Sequence, residues 1–137
     1  LKTALADLQN TNTEIRELAL DKIGTIKPDN AFEIIVPFLN DVDPEVRGTA
    51  ACNLGDINDS RSIPYLIKLA ETDLEEKVRS EALSALSHYT SDEVLRCLLN
   101  EVYREKKSRR PRQIVAKQLQ HYDNTNSLEA LSFLLLE

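Results

Sequence analysis

The chain contains no tryptophan and no methionine, only three glycines and two cysteines, and 5% aromatic residues among its 137 positions. So few glycines argue against a turn-rich β fold, which needs them at its hairpins. The aromatic shortage argues the same way, since Leu, Ile and Ala pack helices more readily than they fill a sandwich or barrel. No apolar run approaches the roughly 18 residues needed to cross a bilayer, and no secretory leader is expected. Cys52 and Cys97 stand singly within helical patterns. They read as small apolar core residues in a reducing compartment, the cytoplasm, rather than as a disulfide or a metal site. Methionine is missing even at position 1, so the chain is expected to be a fragment of a longer protein.

What remains is 42% apolar and acidic overall, with a net charge of −6. That charge is unevenly spread. Residues 104–112 hold six basic side chains (Arg104, Lys106, Lys107, Arg109, Arg110, Arg112) and one acidic one, Glu105. The rest of the chain keeps 11 basic against 22 acidic residues. Such a body repels nucleic acid and anionic membranes, while one segment attracts anions locally.

Self-similarity organises the chain. Residues 41–70 open with Asp43-Pro44-Glu45, a helix start in which Asp43 caps free N–H groups and Pro44 fits the first helical position. Val46, Ala50 and Leu54 follow as one apolar stripe, and Gly55 is expected to end the helix in a left-handed conformation. After a polar turn, Ile63, Leu66, Ile67 and Ala70 form a second stripe. A hairpin of this size cannot bury its own apolar faces. Copies lie on either side. Arg47, Ala50, Leu54 and Gly55 are matched 31 residues earlier by Arg16, Ala19, Ile23 and Gly24. Later copies read Arg79, Ala82, Leu86 and Arg112, Val115, Leu119. Second-helix stripes recur as Phe32, Ile35, Val36, then Leu95, Leu98, Leu99, then Leu128, Leu131; Leu1, Ala4, Leu5 and Leu8 form a leading one.

The reading is therefore one domain over residues 1–137: a half repeat at 1–9, then repeats at 10–40, 41–71, 72–105 and 106–135. Nine helices are expected, near 1–9, 13–24, 30–40, 44–55, 62–71, 75–89, 92–105, 110–122 and 127–135. Pro37 falls inside the third, where it should remove a hydrogen bond and kink it.

The pattern DxDPEVRxxAAxxLGxIxDxxxIPxLIxLAxTD resembles the HEAT-like repeat of the phycobilisome-lyase type, strongly over residues 41–87 and weakly over 107–135. The resemblance implies an all-α, right-handed α-α superhelix, a HEAT-like solenoid whose second helices line the concave surface. About function it is nearly silent, because such repeats occur in bilin lyases, scaffolds and multidomain regulators alike.

The in-phase arginines Arg16, Arg47, Arg79 and Arg112 form either an anion-binding ladder or a structural one. A structural ladder would pair each guanidinium with turn carboxylates (Asp41, Asp43, Asp73) or inter-hairpin carbonyls, and it is the reading preferred here. His88-Tyr89 and His121-Tyr122 share one repeat position, each Tyr taking the place of a core isoleucine and each His sitting near a helix C-terminus. Two histidines a repeat apart, about 10 Å for stacked helices, are too distant to share an ion. The sequence also lacks the His-Glu dipeptides with which the related deoxyhypusine hydroxylases bind iron. No catalytic, metal or cofactor site is assigned, for there is no nucleophile elbow, phosphate-binding glycine loop or Cys-x-x-Cys.

Outward positions of the second helices align in three rows: Lys2, Glu33, Pro64, Arg96, Glu129; then Ala6, Pro37, Lys68, Asn100, Phe133; then Gln9, Asn40, Glu71, Tyr103, Leu136. Tyr103 and Phe133 gather there beside Arg96 and Arg104, either as a binding hot spot or, for Phe133 and Leu136, as cover for the last helix or contact with a further repeat. No Tyr, Phe or Trp lies within residues 104–112 to stack on bases, which disfavours nucleic acid and leaves the basic run 106–112 as a dock for an acidic partner or a phosphate, or as a solvated loop. Arg96, Asn100, Tyr103, Arg104, Lys106, Lys107, Arg109, Arg110 and Phe133 are thus the candidate contacts to a protein partner. The expected function is a non-enzymatic protein-protein interaction scaffold binding on the concave face. The alternative implied by the resemblance is a subunit or relative of a phycobilin lyase acting on a bilin-carrying protein. There Tyr103, Phe133, Arg96 and the His-Tyr pairs would be the contacts.

Overall fold

The computed structural model describes residues 1–104 and 109–120. Among these residues the chain is all helical, with α1 (Lys2–Asp7), α2 (Thr13–Ile26), α3 (Ala31–Ile35), α4 (Pro44–Ile57), α5 (Ile63–Thr72), α6 (Glu76–Leu86), α7 (Asp92–Arg104) and α8 (Arg109–Leu119). The ninth expected helix, 127–135, lies outside the described residues.

Helix starts follow the sequence signals. Asn12 and Asp43 each accept a hydrogen bond from the N–H two residues on, at 2.9 Å, with Pro44 in the first turn of α4. Pro37 does more than kink its helix: α3 stops at Ile35, and Val36–Asn40 continue as a 3-10 helix with the proline in its first turn. The missing proline N–H makes a fresh, tighter start cheaper than a broken α-helical ladder.

The glycine expectation fails. Neither Gly24 nor Gly55 adopts a positive φ; Lys27 (φ 49°) and Asn58 (φ 55°) end α2 and α4, both of which run past their glycines. The glycines serve close approach instead. A Cβ on Gly55 would lie 3.0 Å from Ala85 Cα, and one on Gly24 would lie 2.4 Å from Asn53 Oδ1. Each absent side chain lets the next first helix pack against its predecessor's backbone.

The first helices stack in series, α2 on α4, α4 on α6 and α6 on α8, while α5 meets α7 on the other side. Each second helix lies chiefly against the first helix that follows it: α1 on α2, α3 and its 3-10 extension on α4, α5 on α6, α7 on α8. The tighter pair is thus not the α4–α5 hairpin grouped by sequence but the two helices flanking a clamped turn. The stripes are buried as expected, with Val46, Ala50, Leu54, Leu66, Ala82, Leu86, Leu98, Val115 and Leu119 all fully enclosed. Each such Leu is worth about 1.5–3 kcal/mol in burial. Leu1 and Leu5 depart from their stripe and stay substantially exposed, and α1 packs chiefly on α2.

Cys97 is buried, but Cys52 is only half-buried, and its thiol donates to a Glu81 carboxylate oxygen at 3.1 Å. Burial, then that carboxylate, pushes the thiol up to about 12, which makes it inert. Tyr89 is buried and donates to the Leu54 carbonyl at 2.6 Å. Its counterparts are less enclosed than expected: Ile57 is half-buried and Ile26 exposed. The larger ring reaches across to α4 where isoleucine cannot.

Candidate partner-binding cleft

The site is built on the turns between second and first helices. Asn10, Asp41 and Asp73 sit in register, and each accepts from the N–H two residues later at 2.9–3.0 Å, closing an Asx-turn. Six residues on, an arginine answers. Nη1 of Arg16, Arg47 and Arg79 donates to two carbonyls of its own turn: Asn10 and Thr11, Asp41 and Val42, Asp73 and Leu74. The rest of the fork reaches forward. Arg16 grips Asp41 through Nε (3.1 Å) and Nη2 (2.9 Å), and Arg47 grips Asp73 through Nε (2.8 Å) and Nη2 (3.1 Å). One planar guanidinium therefore fixes its own turn and the next. This is the structural ladder that the in-phase arginines implied; the side chain of Arg112 lies outside the described residues. Burial alone would raise the Asp73 carboxyl, but hydrogen bonds from Arg47 and the Glu75 N–H outweigh it and hold it below its ordinary value.

These clamped turns floor a cleft of about 700 Å³ between the 3-10 helix Val36–Asn40 and α5. Leu39, Asn40 and Asp41 form one wall, Pro64, Tyr65, Lys68, Leu69 and Thr72 the other, with Arg47, Asp73 and Leu74 across the end. Leu74 is 93% exposed and Tyr65 47% exposed. Tyr65 is braced from behind. Its ring meets Phe32 edge-on at 5.8 Å, and Arg61, paired with Glu33 and Asp59 at 2.7 Å each, lies 4.4 Å over the Phe32 ring.

Each outward row contributes one residue to the cleft: Pro64, Lys68 and Asn40. It thus opens one repeat before the aromatics nominated by sequence. Arg96 and Asn100 are exposed on α7, as expected for outward positions, but do not line it. The side chains of Tyr103, Arg104, Arg109 and Arg110, and all of Lys106, Lys107 and Phe133, lie outside the described residues, as do His121 and Tyr122. His88 is exposed, 3.7 Å from Asp56, and no group of three metal-binding side chains occurs among the described residues. Sequence reasoning missed Tyr65 and Leu74. A signal for Leu74 existed: with Val42, it places an apolar residue at a turn position where the first copy has Thr11.

A repeated clamp between stacked helical pairs is the arrangement of a helical-repeat protein, and the family model described as HEAT repeats matches residues 1–87. The chain belongs to the HEAT-repeat family. Its fold is similar to that of a chain in the complex of CpcE and CpcF of phycocyanin lyase from Nostoc sp. PCC7120, at 18% identity and a TM-score of 0.71. The alignment covers 99% of this chain and 65% of that one, so this chain spans just under two thirds of its neighbour's length. The resemblance to HEAT-like repeats of the phycobilisome-lyase type is one of fold. No curated protein matches the chain in sequence. No helix among the described residues is long and apolar enough to cross a membrane.

Proposed function

We propose that this HEAT-repeat chain is a non-enzymatic scaffold module that holds a partner protein on its concave, second-helix face. The single observation that carries this reading is the cleft at Tyr65, Lys68 and Leu74, where large apolar side chains are left exposed around a rigidly clamped floor. A surface of this kind needs shape and exposed anchors, not reacting groups. Arg96 and Asn100 extend it along α7, with Tyr103, Arg104, Lys106, Lys107, Arg109, Arg110 and Phe133 as further proposed contacts. The test is a photo-crosslinking residue placed at Lys68, on this face, or at Lys22, on α2. Exposed to lysate of the source organism, the position-68 protein should crosslink to one discrete partner and the position-22 protein should not. Crosslinks from position 22 alone, or from neither, would remove the reading.

A second reading draws on the likeness to the CpcE and CpcF complex. In it the chain is a relative of a bilin lyase subunit, contacting a bilin-carrying protein through Arg96, Tyr103, Phe133 and the two His-Tyr pairs. Visible absorbance of the crosslinked species separates the two readings: a coloured partner favours the second, a colourless one the first.

A further inference from the structure

We infer that the cleft recognises a peptide segment that pairs a large apolar side chain with a nearby acidic one. This rests on the scaffold reading and gives its partner a chemistry. Charge complementarity carries it. Four charged residues line the cleft, and three are already engaged: Asp41 with Arg16, Arg47 with Asp73. Lys68 is the fourth. It is exposed, and its ammonium makes no ion pair with a described residue. Glu71, one turn along α5, has an interaction of its own. A chain of net charge −6 therefore presents one uncompensated positive charge inside its apolar cleft. That is a seat for a carboxylate brought by the ligand.

The remaining lining sets the rest of the chemistry. Leu39, Pro64, Leu69, Leu74 and the Tyr65 ring offer an apolar wall for one bulky side chain. Asn40 is exposed and its carboxamide makes no hydrogen bond to a described residue, so it offers both the donor and the acceptor that a peptide group needs.

The test pans displayed random dodecapeptides against the whole chain and, in parallel, against Lys68→Glu and Tyr65→Ala. Clones enriched on the unaltered chain should pair Leu, Phe or Trp with Asp or Glu within a few residues. A synthetic peptide made from them should lose about tenfold in affinity on Lys68→Glu and at least as much on Tyr65→Ala. Panning on Lys68→Glu should turn the acidic preference basic. Both positions are exposed, and unchanged melting of each variant is the fold control. Enrichment indifferent to charge, binders untouched by either substitution, or no enrichment would each overturn the inference. The position-68 crosslink is read independently. A crosslinked partner without an apolar-acidic segment defeats this inference alone, and absence of the crosslink defeats the scaffold reading beneath it.

Discussion

The first-helix stack and the second-helix face are made from the same repeat, yet they keep it differently. In the stack, residues recur in phase because each does the same mechanical job in the copies that keep it: Arg16, Arg47 and Arg79 grip turn carbonyls, and Gly24 and Gly55 admit a neighbouring helix. On the other face the outward residues change from copy to copy, and the cleft forms where Tyr65 and Lys68 break the pattern. Phase marks what holds a solenoid together; departure from phase marks where it is free to recognise something else.

Substitutions sharpen that contrast, and the largest effect belongs to the stack. Leu54 is fully enclosed, so Leu54→Asp buries an unpaired charge and should abolish cooperative melting, at a cost above about 4 kcal/mol. A folded variant with normal melting would break the assignment of phase. Gly55→Val comes next. Its Cβ would meet Ala85 backbone at 3.0 Å, which the helices relieve only by separating, for a loss of about 1–3 kcal/mol in denaturant unfolding.

Asp73→Asn should cost about 1–3 kcal/mol, since it removes the charge from a clamp shared by two turns. It also carries a pH signature. The folded-state carboxyl titrates below its ordinary value of 3.8, so its contribution is present above that pH and is lost as pH falls through the lower folded value. Acid unfolding of the unaltered chain should steepen below about pH 4, and the variant should show less of that steepening. The smallest effect belongs to the cleft: Lys68→Glu should leave stability within about 0.5 kcal/mol while changing what binds. A destabilised Lys68→Glu would mean that the cleft is part of the framework after all.

Much of the fold was legible because repetition multiplies weak signals. One Arg47 says little, but Arg16, Arg47 and Arg79 at one offset, each six residues after Asn10, Asp41 or Asp73, say that a turn is being clamped. Pro44 after Asp43 announced a helix start that the structure keeps. Gly55 was misread because two uses of glycine look alike in sequence. A left-handed cap and a helix-helix contact both need the absence of Cβ, and only the packing of α6 on α4 shows which applies at Gly55. The cleft was legible only in part. The outward rows supplied Asn40, Pro64 and Lys68, but Tyr65 stands beside those rows on α5 and Leu74 in the turn after it.

By itself, then, the sequence determined an all-helical repeat, its period, its buried stripes and the arginine clamp of the first three copies, because each of these is a local pattern of spacing restated from copy to copy. The tertiary structure alone decided which helix each second helix leans on, where glycine is needed for room, and where a cleft opens. Those depend on distances between residues about a repeat apart, which stacking sets and spacing along the chain does not encode.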